Sequence, residues 1–147
     1  MTSKLPLIAA TLAFAIATLT ACGGSNPDAP VYSPAALTKT EVVVGTGATA
    51  VAGKKVKVHY TGYLYNTTVT SFKGAQFDTS VGSAPYTYFV GSVNTIVGFD
   101  QGVTGMKVGG KRSVFIPASL GYGAAGSGGK VPPNSGLVFD LELLEVI

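Results

Sequence analysis

Hydrophobic and polar positions divide the 147-residue chain into three stretches of different rhythm. Residues 5–17 are almost continuously apolar, residues 23–40 show no period, and from Glu41 onward apolar residues recur every second position, the mark of strands. "EVVVG" (41–45) is a short β-branched run closed by Gly45. In "KVKVHYTGYLY" (55–65), Val56, Val58 and Tyr60 share one face, while Lys57, His59 and Thr61 share the other. "PYTYFVG", "KRSVFIP" and "GLVFDLELLEVI" complete the strands; the last aligns Leu137, Phe139, Leu141 and Leu143, with Asp140, Glu142 and Glu145 mainly outside that face. Gly109-Gly110 signals a turn. Only "NTIVGFDQGVTGM" has helical spacing, in Ile96, Phe99 and Val103, and Gly98, Gly102 and Gly105 limit it to one short helix near Ile96–Val103. These elements predict an α+β domain, with some five antiparallel strands wrapped on the helix. Long loops are predicted at Asn66–Ala75 and Pro117–Ser135, and loops of that length in a small domain are often functional.

The apolar stretch follows a single early cation, Lys4, and is shorter than the ~20 residues needed to span a bilayer, so it reads as a secretory signal. It ends in Leu19-Thr20-Ala21-Cys22, which resembles a bacterial lipobox, with residues 1–21 removed and Cys22 lipidated at the mature N-terminus. Residues 22–40 then read as the lipidated Cys and a Gly/Pro/Ser-rich linker with a typical span near ~23 Å. The domain proper is expected over 41–147, held at the cell envelope by its anchor. By resemblance, Gly23 after the Cys favours the periplasmic face of the outer membrane.

Composition narrows the chemistry. The formal net charge of +3 is mild, and no Lys/Arg stripe interleaved with aromatics runs along any segment, which argues against nucleic acid. Cys22 is the sole cysteine and His59 the sole histidine, so internal disulfides, most zinc sites, and any catalytic triad without His59 are excluded. His59 alternates away from Tyr60 and reads as structural or exposed. On spacing alone, Ile96, Phe99 and Phe139 read as packing residues. Tyr122 stands apart because its loop, "GYGAAGSGG", offers little to build a core with.

Four strings, "VHYTGYL", "FDTS", "VGFDQGVTGMKVGGKRSVFIPASLGYG" and "VPPNSGLVFDLELL", closely resemble the FKBP-type peptidyl-prolyl cis-trans isomerases, in family order and from about Val42 to Ile147. The resemblance implies a five-stranded antiparallel sheet curled around one short helix, with a proline side chain bound in an aromatic pocket between them. Carried over by position, the catalytic residues would be Tyr60, Phe77, Asp78 and Tyr122. The substrate-binding residues would be Tyr86, Thr95, Ile96, Phe99, Val131 and Phe139. Asp78 would accept a hydrogen bond from the Tyr60 hydroxyl, with Phe77 as a pocket wall. Proline-containing polypeptides are the implied partners, with macrolide immunosuppressants as inhibitors, and neither metal nor other cofactor is implied.

The chain departs from the family pattern in places. Phe99 stands where many members carry Trp, no Arg follows "FDTS", and Ser127 and Lys130 replace bulkier rim residues. "YNTTVTSFKGAQ" is longer than its counterpart in the smallest members. A long N-terminal helical region, by which some secreted relatives dimerise, is lacking, so a monomer is expected. Two other classes remain open at this level: a proline-peptide binding module or chaperone with little turnover, and a surface protein that contacts a host or envelope partner.

Overall fold

The computed structural model describes residues 30–147; the leader, Cys22 and the first part of the linker lie outside the described residues. Six antiparallel strands, β1 (Thr38–Val43), β2 (Lys55–Tyr65), β3 (Lys73–Thr79), β4 (Tyr86–Phe89), β5 (Lys111–Ile116) and β6 (Leu137–Val146), form one sheet, with α1 (Val97–Val103) on one face. The order is β1-β5-β6-β2-β3, and β4 also pairs with β2. Lys55–Val58 of β2 pairs with β4 and Thr61–Tyr65 with β3, so the last two strands share one edge position and the sheet is five positions wide. Register shifts in β1 and β2 let the sheet coil around the helix.

The alternation in β2 and β6 builds the concave face. Val56, Val58, Leu137, Phe139, Leu141 and Leu143 are buried there against Phe99 and Val103 of the helix. The outer face carries the polar set: Asp140 accepts from Lys73 Nζ (2.7 Å) and Ser113 Oγ (2.6 Å), and Lys57 pairs with Glu145 (2.6 Å). Val138 is fully buried on this outer face, in register with Tyr63 and Phe115. Nearby, Phe72 stacks on Tyr65 (5.4 Å) and meets Phe115 edge-on (6.1 Å), so the 66–72 loop closes over the outer face as an aromatic cap.

Two sequence expectations are corrected and one is refined. The helix begins at Val97, because Ile96 is extended and serves as its N-cap. Gly98 and Gly102 do more than limit its length: a Cβ on Gly98 would overlap Ile116 Cγ2, and one on Gly102 would lie 2.8 Å from Val114 Cγ2. The two glycines let the helix lie directly on β5, and Arg112 of that strand donates to Gly102 O (2.7 Å) and Thr104 O (3.2 Å) at the helix C-terminus. The Asn66 loop ends at Phe72, because Lys73–Ala75 join β3 despite poor strand propensity. Thr38–Thr40, read as linker, belong to β1 through pairs with Phe115, Val114 and Ser113. Composition reveals the lack of a repeat but not the backbone pairing. Among the described residues, no helix is long and apolar enough to cross a membrane.

Candidate functional site

A cavity of ≈430 Å³ lies where the helix N-terminus, β2, β6 and the 117–135 loop converge. Phe99, buried and first to follow the glycine that seats α1 on the sheet, is its floor. Around it stand Phe139 (5.2 Å, edge-on), Tyr60 (5.6 Å, edge-on) and Tyr86 (6.0 Å, edge-on), an arrangement that suits the ring quadrupoles. Thr95 and Ile96 line the cavity from the extended segment ahead of the helix, and Tyr122 lines it from the 117–135 loop. Tyr88, one alternation on from Tyr86, is buried, stacks on it (5.4 Å) and meets Phe99 (5.9 Å), bracing the floor from outside the cavity.

The polar part of the site is small. Tyr60 Oη donates to Asp78 Oδ2 (2.8 Å), as anticipated, while Asp78 Oδ1 accepts from Thr79 N (2.9 Å). Both carboxylate oxygens are thereby fixed by the chain itself. Ser80 Oγ accepts from Tyr60 N (3.0 Å), and His59 Nδ1 lies 3.0 Å from the same oxygen, which ties His59 to the strand edge. The 90–96 segment is held by Asp100 Oδ1, which accepts from Gly91 N (2.9 Å), and by Tyr86 Oη, which donates to Asn94 O (3.3 Å).

Eight of the ten expected positions line this cavity: Tyr60, Asp78, Tyr86, Thr95, Ile96, Phe99, Tyr122 and Phe139. Two do not. Phe77 packs edge-on behind Phe139 (5.6 Å), over Gly62, whose missing side chain leaves room for both rings. Val131 is buried and faces a neighbouring cavity beside Leu64 and Tyr65. Val93 and Asn94 line the cavity but were missed, because an exposed loop has no periodicity to reveal them. A separate outer-face cavity of ≈300 Å³ includes His59, Lys73, Lys111, Asp140 and Glu142, with its lysines paired to acids. Among the described residues, no group of three or more His, Cys, Asp or Glu side chains could hold a metal ion.

Burial, followed by the hydrogen bond to Asp78 and that residue's charge, pushes the Tyr60 phenol up to about 12. Tyr122 is raised by burial and then by the charge of Asp78, so both hydroxyls remain donors at neutral pH. A raised phenol binds its proton more tightly in the folded chain than in the unfolded one. The stability from Tyr60 is therefore intact below pH 10 and is lost as pH rises from about 10 to 12. In Asp78→Asn the Tyr60 titration, followed by tyrosine Cζ chemical shift, is expected to fall below that of the parent yet stay above 10, since burial remains. An unchanged value would mean that Asp78 has no hold on Tyr60.

The profile of the FKBP-type peptidyl-prolyl cis-trans isomerases matches residues 47–144. A protein from Neisseria meningitidis serogroup A, named FK506-binding protein, is 47% identical over 103 residues, covering 69% of this chain and 88% of the relative. The crystal structure of AtFKBP13 superposes with a TM-score of 0.67 at 36% identity, over 78% of this chain and 96% of that one. A peptidyl-prolyl cis-trans isomerase from Pseudomonas syringae pv. tomato gives 0.62 at 32% identity, over 75% and 74%. With this fold, and with the family profile matching residues 47–144, the chain belongs to the FKBP-type peptidyl-prolyl cis-trans isomerases and is an enzyme of that class.

Proposed function

We propose that the X-Pro bond is turned in the Phe99-floored cavity, with the proline ring on Phe99 and the bond beside Tyr60, Asp78 and Tyr122. The observation that carries this reading is the aromatic enclosure itself, in which Phe99 meets Tyr60, Tyr86 and Phe139 edge-on. Prolyl isomerisation breaks no covalent bond; its obstacle is the ~18–20 kcal/mol torsional barrier set by amide resonance. The planar amide carries separated charge on N and O, and the twisted one has lost much of it. A water-poor aromatic cavity supports that charge poorly and so favours the twisted form, which is differential binding of the transition state. Tyr122 Oη, protonated at neutral pH, would orient the substrate carbonyl.

Affinity for the ground state is expected to be weak. Burying ~100 Å² of proline ring contributes about 2.5 kcal/mol, below the ~4.1 kcal/mol of a millimolar complex. Flanking residues would make up the difference, and Val93 and Asn94 at the cavity edge are placed to meet them. Ligands like the FK506 in the relative's name would occupy the same cavity. The substrates would be polypeptides folding outside the cytoplasm: Lys4, the apolar run and Leu19–Cys22 support a lipid anchor, and Gly23 supports the periplasmic face of the outer membrane. We also infer a monomer.

The test is cis-to-trans exchange of an X-Pro peptide with the purified chain. Acceleration that a macrolide ligand abolishes is expected. A well-folded chain that binds the peptide without accelerating exchange would overturn the proposed turnover and leave a proline-peptide binding module.

A further inference from the structure

Pro30–Leu37, read from the sequence as linker, is docked on the domain. Gly136 N donates to Tyr32 O (2.8 Å), Ala118 N donates to Ser33 Oγ (3.0 Å), and Leu37 packs against the core. These two bonds grip the 117–136 loop near both of its ends, and that loop carries Tyr122. Gly136 lies directly against the segment: a Cβ there would be 2.5 Å from Pro34 Cδ and 2.7 Å from Ser33 Cα. At the other end, Ala118 opens a 3-10 helix, Ala118–Leu120, behind Pro117, which has no side-chain cap to offer. Ser33 thus does from a distant segment what an N-cap serine does locally.

The loop has few other hydrogen bonds to the rest of the domain. Its remaining backbone bonds are largely internal: Leu120 N to Pro117 O, Gly121 N to Ala118 O, Ser127 N to Val131 O and Asn134 N to Gly123 O. Besides the flanking strands, Tyr65 N, which donates to Gly136 O (2.9 Å), and the docked segment supply its hydrogen bonds to the rest of the domain, while Leu120, Tyr122 and Val131 pack against the core. In its middle the loop stands off from the segment across a cavity of ≈620 Å³, walled by Val31 and Tyr32 on one side and by Gly128, Gly129 and Pro132 on the other. The hydrogen-bonded hold is therefore concentrated at the two ends.

We propose that Pro30–Leu37 is a strap that sets the position of the 117–136 loop and of Tyr122 within it, making Ser33 and Gly136 positioning residues for the reaction in the Phe99-floored cavity. The link to the reaction rests on the function proposed above; the strap itself does not.

The test uses Ser33→Ala, Ser33→Thr and Gly136→Val in the full chain, with amide exchange and X-Pro isomerisation measured on each. Ser33→Ala is expected to speed exchange over residues 118–129 about three- to tenfold, the worth of one neutral hydrogen bond, and to lower kcat/KM by a similar factor, mainly in kcat. Exchange in β2 and β6 should not change. Gly136→Val should exceed both effects, and Ser33→Thr, which keeps the hydroxyl, should match the parent. Unchanged loop exchange in Ser33→Ala overturns the strap, and this arm decides alone should Gly136→Val fail to fold. Faster loop exchange with unaltered kcat/KM overturns the positioning role. A parent chain without isomerase activity would sink the proposed function and, with it, the link to catalysis, while the exchange measurement would still judge the strap.

Discussion

Phe99→Ala is expected to destabilise the domain by about 3–5 kcal/mol, the usual range for emptying a buried phenylalanine site. For a domain of this size that lowers the melting temperature by roughly 12–20 °C, read by calorimetry. The upper part of the range is favoured because Phe99 meets Tyr60, Tyr86, Tyr88 and Phe139, and β5 lies too close behind the helix glycines for the site to collapse. The same change removes the surface on which a proline ring would rest, so isomerase activity should be lost even well below the melting temperature. Phe99→Leu separates the two effects: it refills much of the volume without the ring, so stability should return further than activity does. Full activity in a folded Phe99→Ala chain would show that the reaction takes place elsewhere.

The second large effect is expected at Asp78. Asp78→Ala should lower kcat/KM about tenfold, at the modest end for a charge-assisted hydrogen bond because the carboxylate is exposed. The change in stability should stay within about 1 kcal/mol, as for most exposed positions. Tyr60→Phe removes the same bond from the donor side. The double variant should therefore lose less than the product of the two single losses, the signature of a shared interaction. Independent, multiplying losses would mean that the 2.8 Å bond is incidental to the reaction and that Asp78 acts through its charge alone.

How much could be read beforehand differs from residue to residue, for physical reasons. The concave face was legible because β2 and β6 each bury alternate residues, and Val56, Val58, Leu141 and Leu143 follow that period without exception. Val138 was not, since the period assigns it to solvent and only the aromatic cap from the 66–72 loop, 66 residues away in sequence at Phe72, closes over that face. The Tyr60–Asp78 hydrogen bond could be anticipated from a motif match, because two strand residues in adjacent strands have little freedom in where they meet. Phe77 and Val131 show the limit of such a match: it transfers a position along the chain but not its depth, which depends on neighbours such as Gly62. Val93 and Asn94 left no trace in any pattern, since an irregular loop acquires its place only from Asp100 and Tyr86, which hold it. The docked arm was missed for a related reason. Its partners are a backbone amide and a glycine on a distant loop, and neither leaves a compositional mark.

That arm also fixes a distance. Because Tyr32 and Ser33 are already fastened beside the loop that carries Tyr122, only the stretch from Cys22 to Tyr32 separates the domain surface from the site proposed for acylation. Fully extended, that stretch reaches at most about 36 Å, little more than the ~30 Å thickness of a bilayer's hydrocarbon core. With Cys22 acylated as proposed, the domain would be leashed beside the loop that carries Tyr122, and the cavity would work close to the lipid headgroups. Polypeptides would be met there as they emerge from or line up along the membrane, and chains diffusing freely through the wider compartment would be met far less often.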